Sequence, residues 1–201
     1  MTSIIGPASY EFFGFFPAAL LSFILPIIGI GIFTYIIAKR LAPIVRANPD
    51  SRFDNIGKRI YNLIVVWLGQ IRQPRYMLAG VLHIIIFAGF LTLSIRSVSL
   101  VIIGVSDGFV LPGFGGCFGT IYNFIKDYAA TAVLVACIIA GVRRGYFKPA
   151  RYAVPEKYGK DHTAEAVFVL GIISTLMISE SFFEATEAAY LYKTTGHTHF
   201  L

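Results

Sequence analysis

Cysteine is scarce in this sequence, and the two residues present do not form a recognisable metal site. Cys117 and Cys137 have no C-x-x-C partner and no histidine at metal-ligand spacing. A cluster held by four thiolates is therefore excluded from this chain, so any iron–sulfur cluster must belong to another domain or subunit. We expect both cysteines to be small apolar packing residues.

Charge is scarce as well. Only 14% of the 201 residues are charged and 56% are hydrophobic, whereas an average globular protein is about half apolar and a quarter charged. A soluble domain of this length could not bury so much apolar surface, so the composition predicts a membrane protein. The amino terminus lacks a basic region before its first apolar run, which favours a retained anchor over a cleaved signal peptide.

Long apolar runs supply the expected membrane spans. A bilayer core of about 30 Å needs about 20 helical residues. The qualifying segments are about 13–38, 76–95 (extending toward 105), 124–142 and 164–190. We therefore predict an all-α membrane protein, a single domain over 1–201 with a bundle of about four transmembrane helices. Pro17 and Pro26 should kink the first.

The cations are concentrated in two connections. Residues 39–75 and 143–161 contain 14 of the 17 lysines and arginines. Because such residues stay on the cytoplasmic side, we expect both connections to face the cytoplasm of a prokaryotic inner membrane, with the amino terminus outside. Topology and contact with anionic membrane lipid explain the net charge of +6, and no nucleic acid partner is required.

Two further segments have a recognisable character. Apolar residues at helical spacing predict an interfacial amphipathic helix over about 58–73; they are Ile60, Leu63, Ile64, Trp67, Leu68 and Ile71. The connection 97–123 is apolar and rich in glycine, and we expect it to cap the bundle or to line a pocket on the lipid side.

The run Gly80-Val-Leu-His-Ile-Ile-Ile-Phe-Ala-Gly-Phe90 contains one ionisable side chain, His83. Such a residue at membrane depth indicates function, because it is costly without a partner. Gly80 would leave room beside the imidazole, and Phe87 and Phe90 could pack on a macrocycle. His83 is therefore a candidate axial ligand of b-type haem. The alternative is a hydrogen bond between helices.

A second axial ligand is harder to assign. His162 precedes the fourth span and would have to turn inward from the interface, where a solvated position is the alternative. Met177 could in principle provide a thioether, and the alternative, which the sequence favours, is an ordinary packing methionine. His197 and His199 are expected near the outer surface, too far from His83 to share its iron.

The fourth span also contains carboxylates. Glu180 and Glu184 share one helical face, where they could exchange protons with a quinone. The alternative for Glu184 is plain solvation. Asp127 in the third span could pair with Lys126 or Arg96 in a structural role.

Taken together, the order of residues resembles a family of membrane oxidoreductases with a cytochrome b-like domain, similar to the gamma subunit of respiratory nitrate reductase and the membrane subunit of heterodisulfide reductase. The resemblance covers about residues 57–187. It rests on Arg75…Gly80-x-x-His83-x-x-x-Phe87-x-Gly89-Phe90-x-x-Leu93, Tyr122-x-x-x-x-Asp127, Arg143-Arg144 with Pro149, and Leu170…Leu176-Met177.

The resemblance implies haem b with His83 as a ligand, exchange with menaquinone, and electron transfer with an iron–sulfur protein or domain, often encoded with electron-transfer flavoproteins. Relatives continue into a further helix whose histidines complete the haem ligation. This chain stops after four spans, so we expect the remainder to be a separate subunit or the chain to be incomplete.

Three functions therefore remain open. The first is a haem b subunit that relays electrons between a membrane quinone and a cytoplasmic iron–sulfur or flavoprotein partner. The second is a cofactor-free anchor or assembly subunit of a respiratory complex. The third is a small proton-coupled transporter subunit using His83, Glu180 and Glu184, for which the expected inverted repeats are not seen.

Overall fold

The chain is an all-α membrane protein, as its composition predicts. The computed structural model describes residues 11–12, 14–47, 54–106, 109–149, 159 and 162–195. Within this part, four helices are long and apolar enough to cross a membrane: Ala18–Val45, Met77–Ile103, Cys117–Phe147 and Thr163–Tyr190.

The helices are named in chain order. They are α1 (Ala18–Val45), α2 (Ile56–Leu63), α3 (Met77–Ile103), α4 (Cys117–Val142) and α5 (Thr163–Thr195). A π-helical turn at Arg143–Phe147 extends α4. A short antiparallel pair, β1 (Glu11–Phe12) and β2 (Phe16–Pro17), precedes α1.

The predicted and observed ends of the spans agree in one case and differ in another. Helix α3 runs on to Ile103, in line with the expected extension toward 105, whereas α4 begins at Cys117 rather than near 124. Gly116, with a φ of 90°, directly precedes α4; this left-handed conformation suits glycine and fixes where the helix starts. The predicted connection 97–123 is therefore largely helical at both ends.

The predicted interfacial helix is shorter than expected. Helix α2 continues as a π-helical turn over Ile64–Leu68, and the chain then leaves the helix at Gly69. Gln70 has a φ of 51°, a conformation that a continuing helix does not permit. A 3₁₀ turn at Gln73–Arg75 leads into α3.

The chain divides into two compact units, of which the first comprises Met1–Tyr61 and Ser94–Gly115. In its described part, Pro17 lies at the start of α1, whereas Pro26 and Pro43 lie inside the helix. Ala18 is buried, and a Cβ on Gly104 would meet the Ser22 hydroxyl at 2.6 Å.

The second unit comprises Asn62–Leu93 and Gly116–Leu201. Its core is formed by Leu93, Ala130, Val133 and Cys137, against which Ile86, Leu170, Ile173 and Met177 pack. A side chain on Gly89 would overlap Val133, so glycine permits the close approach of α3 to α4. The Tyr122 hydroxyl donates to the Thr92 carbonyl oxygen at 2.9 Å. This hydrogen bond joins the same two helices near the start of α4.

Several serine and threonine side chains in the spans bond to their own helix. Each donates to the backbone carbonyl oxygen four residues earlier, at 2.9–3.0 Å. The residues are Thr92, Thr131, Ser174, Thr175, Ser181 and Thr186. This pattern satisfies the hydroxyls without a second helix.

Candidate functional site: a histidine and arginine cavity

A cavity of about 520 Å³ lies in the second unit, where α3 begins, α4 ends and α5 begins. We name this the basic end, after the two arginines at the end of α4. The polar lining consists of His83, Arg143, Arg144, His162 and Glu165. The remaining lining is apolar and includes Ala79, Leu82, Ile86, Ala140, Val169 and Leu170.

His83 enters the cavity from α3. It lies six residues after the helix start at Met77, which is about 9 Å along the axis. Its ring stacks on that of Phe87, with centroids 6.5 Å apart and planes 14° apart. Trp67 packs edge-on against Phe87 at 6.1 Å. The residues after α2 therefore support the aromatic neighbour of His83.

His162 reaches the same cavity from the opposite wall, immediately before α5. Its carbonyl oxygen accepts a hydrogen bond from the Ala166 amide at 3.1 Å, so it occupies the cap position of that helix. Its Nδ1 lies 3.0 Å from Glu165 Oε2. The carboxylate thus engages one ring nitrogen and leaves Nε2 as the atom for a ligand. The side chain is 69% exposed.

Arg143 and Arg144 close the cavity from α4. The π-helical turn begins with these two residues, and Arg144 Nη2 lies 3.5 Å from the His162 carbonyl oxygen. The end of α4 is thereby linked to the start of α5. In the sequence these arginines contributed to the topology and to the family resemblance, but neither assigned them to a site. Their position directly after an apolar run is the signal that could have placed them at a membrane-level site.

The other predicted haem-packing residues lie elsewhere among the described residues. A side chain on Gly80 would overlap the Gln73 carbonyl oxygen, so this glycine serves the packing of the chain before α3. Phe87 supports the His83 ring without lining the cavity, and Phe90 is 64% exposed. Met177 packs in the core, about 10 Å further along α5 than Leu170. His162, and not Met177, lines the cavity together with His83.

The predicted carboxylates form a second polar group, toward the end of the unit where α4 begins. Lys126, with a side chain only 5% exposed, binds Glu184 of α5. Asp127 Oδ1 lies 3.3 Å from the same ammonium group. Glu180 lies one turn before Glu184 on the same face. Glu184 is thus engaged by an interhelical ion pair, and the expectation that Asp127 could pair with Lys126 matches the observed geometry.

Sequence reasoning did not select Lys126 as an important residue. The available signal was a lone ammonium group within an apolar helix, since such a group needs a partner at membrane depth. Its partner on α5 could not be chosen without the packing of α4 against α5.

No family model, curated protein or solved structure matches this chain.

The chemistry of the cavity must therefore be judged from its residues. Across the described residues, no three His, Cys, Asp or Glu side chains lie together as a metal site. A haem iron takes four ligands from its macrocycle and needs only two from the protein. Two imidazoles at an apolar cavity fit this donor set, and two guanidinium groups complement the carboxylates of the haem propionates.

Proposed function

We propose that the chain is a haem b-binding membrane subunit that relays electrons between a membrane quinone and a soluble iron–sulfur or flavoprotein partner. The observation that carries this proposal is the shared cavity of His83 and His162. Its volume of about 520 Å³ lies within the 300–1,000 Å³ typical of ligand and cofactor sites.

The second imidazole is arranged as metal-binding histidines usually are. Such residues commonly donate their other ring N–H to a carboxylate, which fixes the tautomer and the ring orientation. The contact of His162 Nδ1 with Glu165 supplies that partner. On the other wall, Phe87 fixes the His83 ring by stacking. We infer that His83 and His162 would hold the haem iron through their Nε2 atoms.

Haem b bound at this cavity would supply a one-electron carrier. The chain's own contribution would be to orient the imidazoles, to exclude water with aliphatic walls, and to balance an anionic propionate with Arg144, which lines this cavity alone. The basic end would also present positive charge to an acidic partner surface, which favours rapid association. We propose that this end faces the cytoplasm of a prokaryotic cell, in keeping with the distribution of cations.

The quinone, proposed to be menaquinone from the resemblance, needs a proton donor and acceptor. We propose Glu180, one helical turn before Glu184 on the same face of α5, for this role. Glu180→Gln should slow quinone turnover without changing the haem spectrum. Glu187→Gln, a matched substitution on the same helix, should leave turnover unchanged. An unaltered rate in Glu180→Gln would exclude the role.

The decisive test of the proposal is a reduced-minus-oxidised visible spectrum of the protein purified with its native partners. Wild type should show the α-band of b-type haem, and His83→Ala and His162→Ala should each abolish it. Met177→Leu is the matched control and should retain the band, because Met177 packs in the core. Loss of the band in Met177→Leu with retention in His162→Ala would overturn the ligand assignment.

A cofactor-free anchor is the second candidate function. It is favoured by the stacking of His83 on Phe87, which gives the imidazole a packing partner within its own helix. If the chain is such an anchor, the protein purified with all its partners should show no haem band in the visible spectrum. His83→Ala should then change only the stability of the protein.

A further inference from the structure

We propose that a second cavity, distinct from the histidine cavity, binds an anionic phospholipid. This groove of about 530 Å³ lies between the start of α3 and the end of α4. Leu78, Ile138, Ile139, Val142, Phe147 and Pro149 line it, together with one charged residue, Arg143. The phospholipid phosphate would bind Arg143, and one acyl chain would lie along the apolar lining.

The shape of the groove suits an acyl chain. On the bilayer side of Arg143 the lining of α4 runs from Ile138 to Val142, and Ile138 lies about 7.5 Å along the helix from Arg143. One leaflet of a bilayer core is about 15 Å deep. The groove therefore covers about half the depth of one leaflet below the headgroup, and its walls offer methyl and methylene groups over that length.

The position of the charge suits a headgroup. Arg143 follows directly after the apolar part of α4, and Arg144 and Lys148 come within the next five residues. An arginine binds a phosphate in two-point fashion, and basic pockets between membrane helices are typical sites for anionic lipids. Tyr146 and Phe147, with rings 5.2 Å apart, are exposed here, as expected of aromatic side chains at the level of the headgroups.

The apolar lining and the single arginine of the groove together favour a phospholipid over other ligands. A soluble anion would use Arg143 and leave the apolar lining of the groove without a function. A quinone has an apolar tail but a neutral ring, for which a guanidinium charge is not required. A phospholipid with a negative headgroup satisfies both parts of the groove.

The experiment uses the full chain purified in detergent. Its melting temperature is measured with phosphatidylglycerol, with phosphatidylcholine of the same chains, with soluble glycerol phosphate, and with a short-chain menaquinone analogue. A ligand at about 100 times its Kd should raise the melting temperature of a protein of this size by roughly 5–10 °C. We expect this rise with phosphatidylglycerol alone, and native mass spectrometry should count one retained lipid.

Two pairs of variants locate the effect. Arg143→Gln should abolish the rise, whereas Arg144→Gln should retain it, since only Arg143 lines the groove. Ile139→Trp should fill the groove and abolish the rise, whereas Val135→Trp, one turn away on α4, should not. Equal rises with both lipids, a rise with glycerol phosphate or the quinone analogue, or full retention in Arg143→Gln would each overturn the proposal.

Discussion

The ion pair of Lys126 with Glu184 permits a prediction whose size follows from burial. Glu184→Gln removes the main anionic partner of an ammonium group that is only 5% exposed. Leaving one member of a fully buried pair costs about 3–5 kcal/mol. Asp127, 3.3 Å from the ammonium group and 55% exposed, retains part of the attraction. We therefore expect Glu184→Gln to lower the free energy of unfolding by about 2–3 kcal/mol.

Removing the cation instead of the carboxylate should lower the free energy of unfolding by less. Lys126→Met leaves Glu184 without its cation, but that carboxylate is 29% exposed and can gain hydration. We expect a loss of about 1–2 kcal/mol, smaller than for Glu184→Gln. In the double variant neither charge is left unpaired, so its loss should be well below the sum of the two. The resulting coupling energy should be about 2 kcal/mol.

The assay is equilibrium unfolding in mixed micelles, with the four proteins of the cycle measured under identical conditions. Glu187→Gln serves as the control for removing a carboxylate from the same helix face, and it should change stability by less than about 0.5 kcal/mol. A coupling of about 0.6 kcal/mol, the size of an ordinary hydrogen bond between membrane helices, would refute the reasoning. The pair would then be a contact without appreciable electrostatic stabilisation.

Two further predictions concern packing in the same unit. Gly80→Ala should lower the free energy of unfolding by about 2 kcal/mol or more, because the new methyl group would overlap the backbone of Gln73. In Gly141→Ala the methyl group meets nothing within 4 Å, so this variant should be neutral or more stable by up to about 1 kcal/mol. The same unfolding assay distinguishes them, and equal effects would contradict the proposed close approach. Tyr122→Phe removes the bond to the Thr92 carbonyl and should cost about 1 kcal/mol, and an unchanged unfolding curve would show that this bond contributes nothing.

The fold class was predictable because membrane spans are encoded locally, by runs of apolar residues. The ends of the helices were less so. The start of α4 depends on the left-handed conformation of Gly116, and the end of the segment after α2 depends on that of Gln70. Neither backbone conformation can be predicted from the pattern of hydrophobic residues.

The candidate site was predictable only in part. His83 stood out because one imidazole in an apolar run needs an explanation. His83 and His162 line one cavity because of the way the helices of the second unit pack, and no spacing in the sequence specifies that packing. For the same reason the sequence did not identify Glu184, 58 residues away, as the partner of Lys126. Gly80 was assigned to the cofactor because the path of Gln73 past it could not be foreseen.

The hydroxyl groups that bond back to their own helix bear on how α5 partitions into lipid. The most apolar 18-residue stretch of α5 has a mean hydropathy of 1.9, against 2.4 for that of α1, partly because scales count Ser174, Thr175 and Ser181 as polar. A hydroxyl whose proton already meets a backbone carbonyl loses little on leaving water. For membrane insertion, α5 should therefore behave as a more hydrophobic segment than its composition states.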